Sequence, residues 1–237
     1  MRAEAAEVRR LFGRIARRYD LLNSLLSLGQ HLRWKRLAAS ACQAGRGSLL
    51  VDVCSGTADI ALAQARGGGR AVAVDFSAPM LAVGRRKAEG QPVQFVLGDA
   101  LHLPFPDDTF DAATAGFSLR NVASVPRLLG EMARVVRPGG WVVSLETSQP
   151  PWRLVRALYR GYLGVVVWLA PLLSDGPAYR WLLRTVVAFS TAEEVAEQFR
   201  GAGLREVQFS RLLLGAAAIH AGRVPEQQRG CDRVVTK

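Results

Sequence analysis

Three aspartates stand within or directly after short apolar runs, at spacings that suit a nucleoside ligand. Asp52 lies in the run 49–53, Asp75 closes the run 71–74, and Asp99 follows a third run at 93–97. In a doubly wound α/β fold, the carboxyl ends of parallel strands meet at one crevice, where ligands bind. Asp75 follows Asp52 by 23 positions, near the ~20-residue spacing at which a carboxylate accepts hydrogen bonds from a ribose diol. The pattern predicts a cofactor that contains a nucleoside.

The loop between the first two runs favours a cofactor without phosphate. A dinucleotide site needs three glycines in G-x-G-x-x-G, and residues 54–59 contain only Gly56. Asp59 would repel a phosphate, whereas Asp52 and Asp59 suit a cationic amino-acid group. S-adenosylmethionine (SAM) meets these conditions, with Asp99 placed to accept a hydrogen bond from the adenine amino group. The alternative is a structural βα turn in some other α/β protein.

Later segments continue the alternation of strands and helices. Residues 110–115 predict a fourth strand, 128–136 a helix that ends at an Arg-Pro-Gly-Gly turn, and 141–145 a fifth strand. Thr191 and Glu194 form a capping box for a helix that ends near Gly203, and two closing strands follow at 204–209 and 212–220. Over residues 48–150 this order resembles the class I SAM-dependent methyltransferases. The resemblance implies an α/β fold with a doubly wound, Rossmann-like, seven-stranded and mostly parallel sheet.

The first loop departs from the G-x-G pattern that these enzymes usually have, because Ala58 stands where a glycine is expected. Alanine tolerates a positive φ poorly, and its methyl group would occupy space beside the ligand. If the backbone here requires a positive φ, we expect cofactor affinity to suffer.

Length and composition predict one domain. The chain has 237 residues, 49% of them hydrophobic, which suffices for a sizeable core. We divide residues 1–223 into a helical cap (1–46), a SAM-binding core (47–150), a helical lid (151–190) and a closing helix with strands (191–223), and we expect 224–237 to be a flexible tail. Three cysteines without a pairing pattern, and no recognisable signal peptide, favour the cytoplasm.

The segment after the fifth strand and the net charge of +11 indicate what the protein could bind. Residues 163–173 are strongly apolar but shorter than the ~20 residues of a membrane-spanning helix. Arginines and aromatic residues precede them at 152–162. This combination favours a lid over an apolar substrate or a helix at a membrane surface, and a buried core helix is the alternative. The charge itself fits a solvated basic surface, an anionic membrane or nucleic acid.

Four sequence segments that are not part of the general class I pattern narrow the resemblance to one family. They are Tyr-Asp-x-x-Asn at 19–23 with the run 27–35, Phe-Ser-Leu-Arg-Asn-Val at 117–122, Leu-Glu-x-Ser-x-Pro at 145–150, and Tyr-Arg-Trp-Leu at 179–182. Together they resemble the C-methyltransferases of ubiquinone and menaquinone biosynthesis, over about residues 12–222. The resemblance implies methyl transfer from SAM to a ring carbon of a prenylated naphthoquinol or benzoquinol, without a metal.

The resemblance also assigns site residues. It carries the family's SAM contacts over to Thr57, Asp75, Asp99, Ala100 and Gly116, and the expected cofactor-binding residues also include Asp52, Gly56 and Phe76. The family usually has a serine at position 116, so the glycine here loses a hydrogen bond worth about 1 kcal/mol. The expected catalytic residues are Arg120, which would stabilise the phenolate, Asn121, which would bind the ring oxygen, and His31, which could accept a proton. The expected substrate-binding residues are Tyr19, Phe117, Tyr179 and Arg180.

Other functions remain open from the sequence. The core also fits a methyltransferase of another small apolar molecule, and the positive charge fits, less well, a methyltransferase of RNA. A SAM-binding scaffold without activity is a third alternative. We expect a prenylated quinol and a membrane surface as partners, with the protein at the inner face of the cell membrane, no nucleic acid, and a homodimer as a further expectation.

Overall fold

The chain forms a three-layer α/β fold, as the computed structural model shows. It describes residues 19–169 and 188–226, together with residues 10, 13, 185 and 186. The helices are α1 (Tyr19–Leu26), α2 (His31–Ala41), α3 (Asp59–Arg66), α4 (Ala78–Lys87), α5 (Val125–Val135), α6 (Arg153–Leu169) and α7 (Ala192–Gly201). The strands are β1 (Leu49–Val53), β2 (Arg70–Asp75), β3 (Val93–Leu97), β4 (Phe110–Gly116), β5 (Val136–Thr147), β6 (Arg205–Leu212) and β7 (Ala217–Arg223).

The seven strands form one sheet in the order β3-β2-β1-β4-β5-β7-β6. Strands β1 to β5 are parallel, and β7 runs antiparallel to both β5 and β6. This arrangement confirms the predicted doubly wound, mostly parallel sheet. The order reverses between β1 and β4, and such a switch point opens a crevice at the carboxyl ends of the strands.

Both faces of the sheet are covered by helices, which explains why the central strands are apolar without alternation. On one face, Trp34 and Ala38 of α2 and Ile60 of α3 pack against β1, β4 and β5. On the other, the apolar sides of α5 and α7 pack against the same strands, with Met132 and Phe199 fully buried. The capping box that opens α7 is confirmed, since Thr191 accepts from the backbone of Glu194 and Glu194 reaches back to Thr191.

The fifth strand is longer than predicted. It begins at Val136, because the Arg-Pro-Gly-Gly segment, predicted as a turn, stays paired with the sheet. The register between β4 and β5 shifts there: Phe110 pairs with Val136, whereas Ala112 pairs with Trp141. Gly139, at a φ of +79°, lets the backbone turn inside this bulge.

The cap and the lid are seen in part. Helices α1 and α2 precede the sheet, and α6 follows β5 where the lid was predicted. Residues 170–184 and 227–237 lie outside the described part of the chain, so the limits of the lid and the character of the tail stay predictions. Within the described ranges, no helix combines the length and the apolarity that a membrane span requires.

Candidate active site

A cleft opens at the switch point of the sheet, where the sequence predicted a cofactor. It contains about 860 Å³ of empty space, part of which is open to solvent. Its walls come from the loops after β1, β2, β3 and β4. The predicted cofactor residues among its lining are Gly56, Asp75, Phe76, Asp99, Ala100 and Gly116.

Asp75, at the floor of this cleft, connects the loop after β1 to the loop after β2. Its carboxylate accepts a hydrogen bond from the backbone N–H of Gly56 at 2.8 Å and another from Ser77 at 2.8 Å. Burial raises the pKa of Asp75 to about 6, against those two hydrogen bonds, which lower it. A buried carboxylate at the end of β2 is well placed to accept hydrogen bonds from a ribose diol.

The charges of the cleft suit a cofactor without phosphate. Its lining contains the carboxylates of Asp75 and Asp99 but no lysine or arginine among the described residues. The buried Oδ1 atom of Asn121, also in the lining, has no hydrogen-bond partner within the part of the chain described. These groups fit a nucleoside and a positively charged sulfonium, and they do not fit a pyrophosphate.

Three residues other than glycine adopt left-handed backbone conformations around the cleft. Cys54, Ala58 and Phe117 have φ values of 54°, 62° and 55°. Such conformations strain L-residues and concentrate at functional sites. The backbone at position 58 thus has the positive φ under which the sequence predicts weaker cofactor binding. The Ala58 methyl group, however, does not reach the ligand space as expected, because it packs on Ala61 and Ala73 beneath the loop.

Two predicted cofactor residues lie outside the main cleft. Asp52 is 1% exposed and accepts hydrogen bonds from the Thr114 hydroxyl at 2.8 Å and from the backbone of Ala61 at 3.2 Å. It lines a smaller cavity beside the cleft. Thr57 is also buried, but its hydroxyl donates to Asp20 and accepts from Lys87.

That contact belongs to an ionic cluster that the sequence analysis missed. Lys87 of α4 pairs with both Asp20 of α1 and Asp59 of α3, and Asp59 also pairs with Lys35 of α2. The lysines lower the pKa of Asp59, against its burial. Asp59 is thus already neutralised, so it is not the unpaired anion that the sequence suggested. The cluster joins the cap to the cofactor loop.

A second pocket adjoins the cofactor cleft, and Phe117 lines both. The cap supplies Asn23, His31 and Trp34 to its walls, and α6 supplies Tyr159 and Leu163. Further lining residues are Ser27, Arg120, Thr147, Val186, Leu213 and Ala216. Because Phe117 borders both spaces, molecules bound in each would lie beside that residue.

Arg120 reaches this pocket from the short 3₁₀ turn Leu119–Asn121 after β4. Its side chain is 4% exposed and forms an ion pair with Glu146, which is fully buried at the end of β5. The same Glu146 oxygen accepts from the backbone N–H of Thr147 at 2.7 Å. The guanidinium carbon lies 5.7 Å from the centre of the Phe117 ring. The Nε atom has no hydrogen-bond partner among the described residues.

His31 also faces the pocket and is 2% exposed. Burial lowers its pKa to about 4, so the imidazole is neutral at pH 7. The Ser24 hydroxyl donates its single hydrogen to the Asp20 carbonyl, so its oxygen accepts from His31 Nε2–H at 2.9 Å. This network assigns Nδ1 as the free acceptor, and Nδ1 is buried without a partner in the described part of the chain.

The remaining predicted residues are placed as follows. Asn121 lines the cofactor cleft and not the pocket with Arg120, and its amide donates to the Phe117 carbonyl at 3.2 Å. Helix α1 begins at Tyr19, whose side chain is not described, and Tyr179 and Arg180 lie outside the described residues. The roles of these residues stay predictions.

Gly116 sits where the cleft and the smaller cavity meet. A Cβ atom built on it would lie 2.6 Å from Cδ1 of Ile60. The space that a serine would occupy here is therefore taken by the isoleucine.

Comparison with known proteins places this site in context. The profile of the ubiE/COQ5 methyltransferase family matches residues 1–224. A demethylmenaquinone methyltransferase from Thermus thermophilus is 43% identical over 221 residues, which cover 91% of this chain and 100% of the relative. One from Bacillus cereus is 41% identical over 229 residues, covering 92% and 95%.

Solved structures share the fold at lower identity. A SAM-dependent methyltransferase from Thermotoga maritima has a TM-score of 0.67 at 18% identity, covering 92% of this chain and 99% of that one. A methyltransferase from Haloferax volcanii, solved with the Trm112 activator, has a TM-score of 0.65 at 18% identity, covering 90% and 98%. At such identities the likeness establishes the fold alone.

Proposed function

The chain belongs to the ubiE/COQ5 methyltransferase family and is a SAM-dependent methyltransferase, and we propose that it methylates a ring carbon of demethylmenaquinol. The observation that carries the proposal is the second pocket, which shares Phe117 with the cofactor cleft. Its walls are mainly apolar, yet three of its lining residues each have a buried polar atom without a partner among the described residues. These atoms are Nδ2 of Asn23, Nδ1 of His31 and Nε of Arg120.

Those three atoms match the hydrogen-bonding groups of a quinol. A quinol has two hydroxyl groups on opposite sides of a flat apolar ring, and each can donate and accept. Asn23 and Arg120 offer N–H donors, and His31 offers an acceptor. Buried polar groups in native proteins are normally hydrogen-bonded, so a ligand with oxygen atoms at these points accounts for all three.

SAM supplies a methyl group already activated by the sulfonium. The protein has to hold the ring carbon in line with that methyl group and exclude water, and such alignment contributes about 7–11 kcal/mol. A guanidinium stays protonated in proteins, so Arg120 cannot act as a base. Its Nε–H donates instead to the ring oxygen, stabilising the phenolate that remains once the hydroxyl proton has passed to bulk water on binding, and this phenolate raises the electron density at the ring carbon.

As the new C–C bond forms, the C–S bond breaks, and the proton on the methylated ring carbon must then leave. The methylated ring carbon, which still carries its proton, is a far stronger acid than an imidazolium ion. Neutral His31, even with a pKa near 4, is therefore basic enough at Nδ1 to accept this proton. Asn121 holds the backbone turn at Phe117 through its amide, which fixes the residue that borders both the cofactor cleft and the second pocket.

The experiment compares Arg120→Met and His31→Phe with the wild type, using a short-chain reduced demethylmenaquinone. We expect turnover to fall by about 100-fold or more in Arg120→Met, the usual effect of removing a donor to a developing oxyanion, while the Kd for SAM changes less than about threefold. Gln149 lines neither the cleft nor the second pocket, so Gln149→Ala serves as a control with unchanged turnover. Near-wild-type turnover in both pocket variants would overturn the assignment.

We also propose that α6 rests on an anionic membrane surface, which would supply the insoluble substrate. Leu163 faces inward at 2% exposure, while Leu154, Leu158 and Val165, on the opposite side of the helix, are 72%, 67% and 56% exposed. Arg153 and Arg160 flank this exposed stripe and are exposed themselves. An apolar stripe bordered by arginines is typical of helices that lie in the membrane interface.

The stripe adjoins the substrate pocket. Tyr159 and Leu163 of the same helix line that pocket, and so does Leu213, which is 41% exposed beside the still more exposed Leu214. A prenyl chain leaving the pocket past Leu213 would pass directly into lipid. A second copy of the chain is the competing occupant of the stripe.

Vesicle flotation tests this contact. We expect binding to vesicles with anionic lipids at low salt, weaker binding at about 0.5 M salt because the attraction is screened, and loss of binding in Leu154→Glu with Leu158→Glu. Leu97→Glu is the matched control, since Leu97 is 62% exposed on the edge strand β3, in the other half of the sheet. Equal binding by both variants, or a dimer that the double variant dissociates without any vesicle binding by the wild type, would contradict the proposal.

A further inference from the structure

A small polar cavity extends from the floor of the cofactor cleft. It contains about 290 Å³ of empty space and shares Cys54, Gly56 and Gly116 with the cleft. Its other walls include Lys35, Asp52 and Asp59. A ligand whose nucleoside lies against Asp75 would extend past Gly116 into this space.

The cavity contains one buried cation close to buried carboxyl groups. Lys35, on the cap helix α2, is 6% exposed, and its ammonium donates to Asp59 at 2.7 Å. Asp52, which also lines the cavity, is 1% exposed. Burial raises the pKa of Asp52 to about 7, against its hydrogen bonds and the nearby charge of Lys35, which lower it.

We propose that Lys35 is the specificity-determining residue that binds the carboxylate of the methionyl group of SAM, with Asp52 facing its ammonium. The inference rests on the proposed function, since it assumes that SAM occupies the cleft. An amino-acid group is a zwitterion, and burying its carboxylate is favourable only beside a cation. Among the described residues that line the cleft or this cavity, Lys35 is the basic one.

The position of Lys35 links cofactor binding to the assembly of the substrate pocket. The same helix α2 supplies His31 and Trp34 to that pocket. A cofactor held by Lys35 would therefore fix the helix that forms one wall of the acceptor site.

Ligand binding tests the proposal without any turnover. Calorimetry compares SAM with decarboxylated SAM, which lacks only the carboxylate and keeps the ammonium. We expect the wild type to bind SAM about 10–100-fold more tightly, the range for a buried charge-assisted hydrogen bond. Lys35→Met, which lacks that hydrogen bond, should bind the two ligands within about threefold of each other.

Lys87→Met is the matched control. Lys87 also pairs with Asp59 but does not line the cavity, so this variant should keep the wild-type preference for SAM. A Lys35→Met variant that weakens both ligands equally would show a structural role for Lys35 and overturn the proposal.

The wild-type comparison stands even if Lys35→Met does not fold. Equal affinities of the wild type for SAM and decarboxylated SAM would overturn the carboxylate contact and leave SAM in the cleft. Binding of neither ligand would instead overturn the cofactor assignment on which the proposed function rests.

Discussion

The buried ion pair between Arg120 and Glu146 allows a quantitative test of the pocket. Their side chains are 4% and 0% exposed. Removing one partner of such a pair leaves an uncompensated charge in the core and costs about 3–5 kcal/mol. In Glu146→Gln, the amide oxygen can still accept from Arg120 and from the Thr147 N–H, so we expect a cost near the lower end, about 3 kcal/mol.

Arg120→Met should behave differently with pH. It leaves the Glu146 carboxyl without its cation, and a buried carboxyl can relieve that cost by taking up a proton. We therefore expect the destabilisation to be larger at pH 8 than at pH 5. In the double variant both charges are absent, and its cost should fall short of the sum of the single costs by at least ~1.5 kcal/mol.

Urea unfolding at pH 8, followed by far-UV circular dichroism, measures these costs. A loss of about 3 kcal/mol lowers the midpoint by about 1 M or more at ordinary m-values. Arg211→Met provides the control, because Arg211 pairs with Glu193 at the surface, where such pairs contribute about 0–1 kcal/mol. Additivity of the two single costs within about 0.5 kcal/mol would refute the idea that this pair is coupled in the core.

Three further predictions concern other sites. His220 is 1% exposed, and burial lowers its pKa to about 4, so between pH 6.5 and 4 the unfolded chain binds a proton that the folded chain does not. The stability that neutral His220 contributes is therefore lost as the pH falls. Between pH 7 and pH 4, the free energy of unfolding of the wild type should fall by about 3 kcal/mol more than that of His220→Gln, as measured by urea unfolding. Gly116→Ser should cost about 1 kcal/mol because of Ile60 but much less in an Ile60→Val background, by thermal unfolding. Thr191→Ala should cost about 1 kcal/mol, and Thr191→Ser should restore most of it.

Much of the fold could be predicted because its signals are local. An apolar run that ends at Asp75, or a threonine three positions before Glu194, specifies a strand end or a helix cap without reference to distant residues. The length of β5 could not be predicted, since Gly139 and its neighbours normally indicate a turn. Pairing with β4 keeps that segment in the sheet through a register shift that only the assembled sheet provides.

In the candidate site, too, the residues marked by local patterns could be predicted, and the contacts between distant residues could not. The strand-end aspartates follow from the topology of parallel strands, and Asp75 lies in the cleft as expected. The contact between Lys35 and Asp59, by contrast, joins residues 24 positions apart on different elements, and no local pattern pairs them. Ala58 shows the limit of a local rule: the sequence marks position 58 as one where glycine is usual, but the direction of the methyl group depends on how α3 packs on β2.

The most direct test of the central claim is methyl transfer from labelled SAM to reduced demethylmenaquinone, with a reduced ubiquinone precursor and bulk tRNA in parallel. The proposed function predicts label in the naphthoquinol, and none when the quinone is left oxidised, because the oxidised ring lacks the electron density for attack. Label in tRNA alone, or no label in any quinol while SAM remains bound, would contradict it.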